Sequence, residues 1–153
     1  MRAVVQRVLS AQVSVNGAIV GAIDQGLLVL LGIGQGDSEQ EADWLADKVC
    51  GLRVFADDTG KMGRALADVD GSLLVVSQFT LWGHVGRGLR PDFQRAASRA
   101  HAEPLYVGFL ARCRHHRVVV ATGEFGAHMA VQLVNDGPVT LMIDTDDVMP
   151  SGK

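Results

Sequence analysis

Residues 135–140, NDGPVT, lie between two alternating apolar runs, 129–134 and 139–143. Two strands joined by a tight connection are the expected outcome. Gly137 carries no Cβ penalty, and Pro138 narrows the preference for a trans peptide bond to about 0.5–1 kcal/mol, so a cis bond is accessible. Cis geometry would turn two main-chain carbonyls to one side, where they could receive an amino group without any side chain. A plain turn is the competing reading, and the stretch by itself leaves both open.

Working outward, a strand over 118–121 and a connection over 122–126 precede this stretch. At the other end of the chain, 3–15 reads as a strand with Ala3, Val5, Leu9, Ala11, Val13 and Val15 on one face. Asn16-Gly17 is a type I′ hairpin signal leading to a second strand over 18–23. Arg7 interrupts the apolar face, so it either sits at the rim of the sheet or finds acceptors as a brace for buried backbone. The apolar runs 27–31 and 73–76 suit strands covered on both faces. Gly32, Gly34 and Gly36 do not make a dinucleotide loop, since the spacing is GxGxG and Asp37 would repel a pyrophosphate. Ser38 and Glu41 instead form a capping box for a helix over 39–50. A short strand over 52–55, a helix over 92–100 and another over 105–113, with Pro104 at its first position, complete the expected elements. The fold class is α/β: one domain over 1–153 with a largely antiparallel or mixed, barrel-like sheet flanked by two or three helices.

With 153 residues, 48% hydrophobic, the chain suits a single core. No apolar run approaches the roughly 20 residues that span a bilayer, and Arg7 breaks any signal-like segment, so a cytoplasmic protein is expected. Cys50 and Cys113 fall on apolar helical faces and are expected as buried thiols. The formal charge is −3, yet seven arginines (87, 90, 95, 99, 112, 114 and 117) lie in one segment with only Asp92 and Glu103. Such a segment reads either as a contact for an anion such as RNA phosphates or as a solvated helical face.

Ser77-Gln78-Phe79-Thr80-Leu81 ends the second buried run and opens onto a loop with Gly83, Gly86 and Gly88. Polar residues there suit a pocket. Equally, Ser77 and Thr80 suit the capping of loose backbone groups. No GxSxG, HExxH, CxxC or P-loop is present, and the five histidines lack ligand spacing, so no metal site and no cofactor are expected. Thr80 has no evident base, which makes it a poor nucleophile on paper.

Together, SQFTL at 77–81 and NDGPVT at 135–140 resemble the D-aminoacyl-tRNA deacylase family. The resemblance covers nearly the whole chain, through VVQRV, GLLVLLGI, LRVF, GKM and TGEFGAHM. It implies a homodimer that hydrolyses the ester between a D-amino acid and the terminal adenosine of tRNA. It further implies a cis Gly137-Pro138 bond delivered to the neighbouring subunit's pocket as chiral selector. Ser77, Gln78, Phe79 and Thr80 would line the pocket, with main-chain N–H groups near Phe79 and Thr80 receiving the oxyanion. Phe125 and Met129 would wall the amino-acid side, and Arg7 would brace the selector. The family's usual Tyr-Ala-Asp after Leu81 is Trp82-Gly83-His84 here, and Gly63 replaces the asparagine after GKM. Two other readings stand beside this one: a non-catalytic RNA-binding module, and a related deacylase with a trans Gly-Pro bond and relaxed chirality.

Overall fold

The computed structural model describes residues 1–86 and 88–150. In chain order its elements are β1 (Arg2–Val15), β2 (Ala18–Ile23), β3 (Gly26–Gly32), α1 (Glu39–Gly51), β4 (Phe55–Ala56), β5 (Met62–Arg64), β6 (Ser72–Ser77), α2 (Arg99–His115), β7 (Val119–Thr122), β8 (Ala130–Asp144) and α3 (Thr145–Val148). Short 3-10 turns cover Leu66–Val69 and Phe79–Trp82. β1 is the spine because it is long enough for three partners. On one side it pairs antiparallel first with β3 and then with β2; on the other, β8 runs antiparallel along nearly its whole length. β3–β6 and β6–β7 are parallel, each joined by a crossover that carries a helix. Asn16 and Gly17 both have positive φ, 50° and 81°, which the tight β1–β2 turn requires.

The sheet curls because β2 and β7 approach each other. A Cβ on Gly21 would lie 2.3 Å from the Thr122 carbonyl oxygen, so only glycine permits the approach. The expected α/β, mixed and barrel-like architecture is thereby met. It also accounts for the unbroken apolar runs of β3 and β6. Leu27, Val29, Leu31, Leu73 and Val75 pack towards α1 and α2, while Leu28, Leu74 and Val76 fill the inside of the curl with Val8, Ala11 and Val13. The capping box at Ser38 is formed, its N–H donating to Glu41 Oε2 at 2.7 Å. Arg112 on α2 clamps Asp47 on α1 through two 2.7 Å hydrogen bonds. Cys50 and Cys113 are free and buried. Among the described residues no helix is long and apolar enough to cross a membrane.

Four expectations need correction. First, 135–140 is not a connection between two paired strands. Both flanking runs belong to β8 and pair in the same direction with β1, and the register jumps from Gln6↔Thr140 to Val8↔Asn135, so these residues bulge from one continuous strand. Second, that bulge resets the alternation of β1: Val8 is buried and Leu9 is 56% exposed. Third, no helix covers 92–100. Asp92 exchanges both backbone hydrogen bonds with His84, and the Ala97 N–H donates to the Ile33 carbonyl, so these groups are taken by partners outside any helix. α2 begins at Arg99 and holds Pro104 inside it, not at its first position. Fourth, the strand expected over 52–55 shrinks to Phe55–Ala56, paired with Met62–Arg64.

Candidate active site

β6 ends where the chain must leave the sheet. The Gln78 N–H still donates to the Leu31 carbonyl at 2.7 Å, and the chain then coils into the turn Phe79–Trp82. The first amides of a helical turn have no acceptor within it, which leaves the Phe79 and Thr80 N–H groups available. This turn sits close against β3 because of two glycines. A Cβ on Gly32 would stand 2.9 Å from the Gln78 carbonyl oxygen, and one on Gly34 would stand 2.5 Å from Trp82 Cζ2. From the other side, the Arg2 guanidinium covers the Trp82 ring at 4.1 Å and donates to the Leu81 carbonyl at 3.0 Å. The turn is therefore wedged between β1 and β3.

A cleft of about 510 Å³ opens beside it. Ser77, Gln78 and Phe79 line one wall, and Phe125 and Met129 line another, so five of the residues expected at the site come together. Gly123 makes room for Met129: a Cβ there would lie 2.5 Å from the Met129 sulfur. Phe125 packs against Tyr106 at 5.4 Å between ring centroids, which steadies the apolar wall. Phe79 is 57% exposed and meets Phe93 edge-on at 5.1 Å. Arg99, Ala102 and His128 also line the cleft. Sequence reading did not place them there; α2 brings Arg99 and Ala102, and His128 sits in the loop before β8, so no local spacing signals their approach.

Thr80 does not line the cleft. It is exposed, and its Oγ1 accepts a hydrogen bond from Gln78 Nε2, an amide that cannot serve as a base. Gly137 and Pro138 lie outside the cleft of their own chain, on the exposed bulge of β8, joined by a cis peptide bond. Arg7 is not at a rim. Its Nη1 donates to the Val54 carbonyl, and its Nε lies 3.0 Å from Asp136 Oδ2, a charge contact whose N–H is not aligned for a hydrogen bond. Asn135 Nδ2 donates to the Arg7 carbonyl at 2.9 Å and to the Val139 carbonyl at 3.0 Å. Side chain and backbone of Arg7 together hold the start of the bulge, and Asn135 ties that start to its far end at Val139. Of the basic segment, Arg99 pairs with Glu103 and Arg112 with Asp47, while Arg87 lies outside the described residues.

A family profile described as D-Tyr-tRNA(Tyr) deacylase matches residues 4–144. The chain belongs to that family. A D-aminoacyl-tRNA deacylase of Symbiobacterium thermophilum is 55% identical over 146 residues, 95% of this chain and 97% of the relative. One from Thermus aquaticus is 55% identical over 147 residues, 96% and 97% of the two chains. A solved structure named c-Myc DNA Unwinding Element Binding Protein superposes with a TM-score of 0.88 at 41% identity, covering 94% of this chain and 98% of its own. A probable eukaryotic D-amino acid tRNA deacylase shares the fold at a TM-score of 0.81 and 16% identity, over 93% and 97% of the two chains. In this deacylase family member the SQFTL turn is thus the part of the fold that meets the cleft, and the NDGPVT bulge is the part that does not.

Proposed function

We propose that this protein is an editing hydrolase that cleaves the ester joining a D-amino acid to the terminal adenosine of tRNA, releasing free amino acid and tRNA. The family match over 4–144 carries the reading, and the cleft beside the Phe79–Trp82 turn supports it. The Phe79 and Thr80 amides receive the developing oxyanion, Ser77 and Gln78 position the ribose end, and Phe125 and Met129 hold the side chain. The cleft presents no nucleophile paired with a base, so the terminal ribose 2′-OH orients the attacking water. Two copies associate, and each inserts its Gly137-Pro138 bulge into the other's cleft, with Arg7 as the brace. Support for this arrangement comes from β8, which among the described residues pairs only with β1 and exposes Val134, Leu141 and Met142 at 51%, 37% and 84%.

Selection by main-chain oxygens has a physical consequence. An L-residue is excluded because its Cβ strikes the Gly137-Pro138 carbonyls, whereas glycine has no Cβ and escapes. Hydrolysis of D-aminoacyl-tRNA and glycyl-tRNA, including glycine mischarged on tRNA-Ala, is therefore expected, with L-aminoacyl-tRNA spared. Following amino-acid release from these three substrates tests the reading, and loss of activity on a 2′-deoxy tRNA end tests the ribose role. Cleavage of L- and D-esters at equal rates would refute it. A second reading, nucleic-acid binding without catalysis, is favoured by the name of the 41% identical structure and by the arginine-rich segment. Binding of tRNA with no amino acid released under turnover would select that reading.

A further inference from the structure

α2 begins at the cleft, where Arg99 and Ala102 form part of the lining, and runs for 17 residues, about 25 Å at 1.5 Å per residue. Its outward face is made of Ala100, Pro104, Val107, Gly108 and Ala111, all exposed and none charged. Two acids beside the helix are engaged: Glu103 by Arg99 at 2.9 Å and Asp47 by Arg112 at 2.7 Å. At the far end Arg114, His115 and Arg117 are exposed, and among the described residues neither Arg114 nor Arg117 has an ion-pair partner. Cations in the last turn of a helix ordinarily complement its dipole. Arg114 lies in that last turn and Arg117 just beyond it, and with Arg112 engaged by Asp47 these two arginines project from an otherwise acidic protein.

We propose that the outward face of α2 is the track for the acceptor arm of the tRNA substrate, with Arg114 and Arg117 contacting phosphates of the paired stem. This rests on the deacylase reading above, since the ester must lie in the cleft for the distances to apply. Stacked nucleotides advance about 3.4 Å each along a strand, so 25 Å corresponds to roughly seven nucleotides. That exceeds the unpaired NCCA end, and the helix terminus therefore meets double-stranded backbone. The uncharged middle of the helix lets a polyanion lie close without repulsion, and the cationic far end fixes its direction. Contacts of this kind position the substrate and read no base.

The Arg114→Gln/Arg117→Gln double variant tests the track, because both residues lie away from the cleft. Binding of uncharged tRNA is measured against salt concentration. Each lost phosphate contact lowers the slope of log K against log salt by about one, so a decrease of about two is expected. At 0.1 M salt that corresponds to a KM for D-aminoacyl-tRNA raised on the order of 10- to 60-fold, with kcat unchanged. For D-aminoacyl-adenosine, which is too short to reach the helix end, kcat/KM stays within about twofold of the parent. Ala111→Glu, which places an acid on the track with a good helix former, weakens tRNA in the same direction. An unchanged salt slope, or equal impairment on the short ester, overturns the proposal. The slope is read without turnover, so it judges the track even if the parent protein released no amino acid.

Discussion

Gly137→Ala is expected to be the most destabilising single-methyl change in the chain's exposed turns and bulges. Gly137 has φ of +119°, beyond the left-handed region that L-residues tolerate, and a backbone forced there costs about 1–3 kcal/mol. The added Cβ would also stand 2.9 Å from Arg7 Nη2, 2.9 Å from Val139 Cγ2 and 3.2 Å from the Val139 nitrogen. None of these yields easily: Val139 is buried in β8, and the Arg7 head is tied to Val54 and Asp136. Overpacking of this kind adds about 1–3 kcal/mol. Gly17→Ala is the matched control, because Gly17 has φ of +81° with nothing within 4 Å of its Cβ position, so only the backbone cost applies, about 1–2 kcal/mol. Urea unfolding of both variants should place Gly137→Ala roughly 2–6 kcal/mol below the parent, and clearly below Gly17→Ala. In a melt, at about 2–4 °C per kcal/mol for a domain of this size, the shift is roughly 4–24 °C. Equal stability of the two variants would show that Arg7 and Val139 do not fix the bulge.

Thr80→Ala should retain kcat/KM within about tenfold, since the Thr80 hydroxyl is exposed and among the described residues is bonded only to the Gln78 amide; a loss above about 10³-fold would mark an acid–base or covalent group. The Arg112 hydrogen bonds hold the Asp47 carboxyl down to about 2 from its usual 3.8, so its contribution to stability is present above pH 4 and is lost as pH falls from about 4 to 2. Because this pair is about 40% exposed, Asp47→Asn should cost under about 1 kcal/mol in denaturant unfolding at pH 7 and only a small part of that at pH 2; an undiminished cost at pH 2 would assign it to packing. Tyr106 is the single tyrosine, and burial pushes its phenol up to about 12, so phenolate absorbance should develop near pH 12, whereas a midpoint near 10 would place the ring in water.

How far the sequence disclosed this fold depends on the range of each interaction. The capping box at Ser38, the Asn16-Gly17 turn and the doubly covered strands β3 and β6 follow from local residue chemistry, and all are present. The segment after Pro91 misled because its apolar spacing suits a helix, while its amides are claimed by His84 and Ile33, residues no local pattern connects to it. The bulge misled for a related reason. Glycine and proline between two alternating runs signal a reversal, and only pairing with β1, more than a hundred residues away in sequence, turns the same residues into an outward protrusion of one strand. The cleft was half legible: Ser77, Gln78 and Phe79 follow a buried strand, but Arg99, Ala102 and His128 arrive from elements whose approach depends on the curl of the sheet. Gly32 and Gly34, dismissed as a nucleotide loop, turn out to seat the turn that carries Phe79.

The division between cleft and bulge bears on how handedness is judged. Within one chain the wall that Phe125 and Met129 make is apolar, holding bulk but offering no acceptor of its own to an α-amino group. Distinguishing enantiomers needs a rigid contact for that group in addition to the ester and the side chain, and main-chain oxygens supply rigidity that long side chains do not. Arg7 ties the start of the bulge through the Asn135 and Asp136 side chains, and the Asn135 amide reaches across to the Val139 carbonyl at the far end. The bulge is exposed and lies outside its own cleft, on a strand that among the described residues pairs only with β1. In a two-fold dimer the same patch serves both copies, so one interface would complete two clefts at once. Under that arrangement association is not an accessory to stability but the step that creates the stereochemical filter.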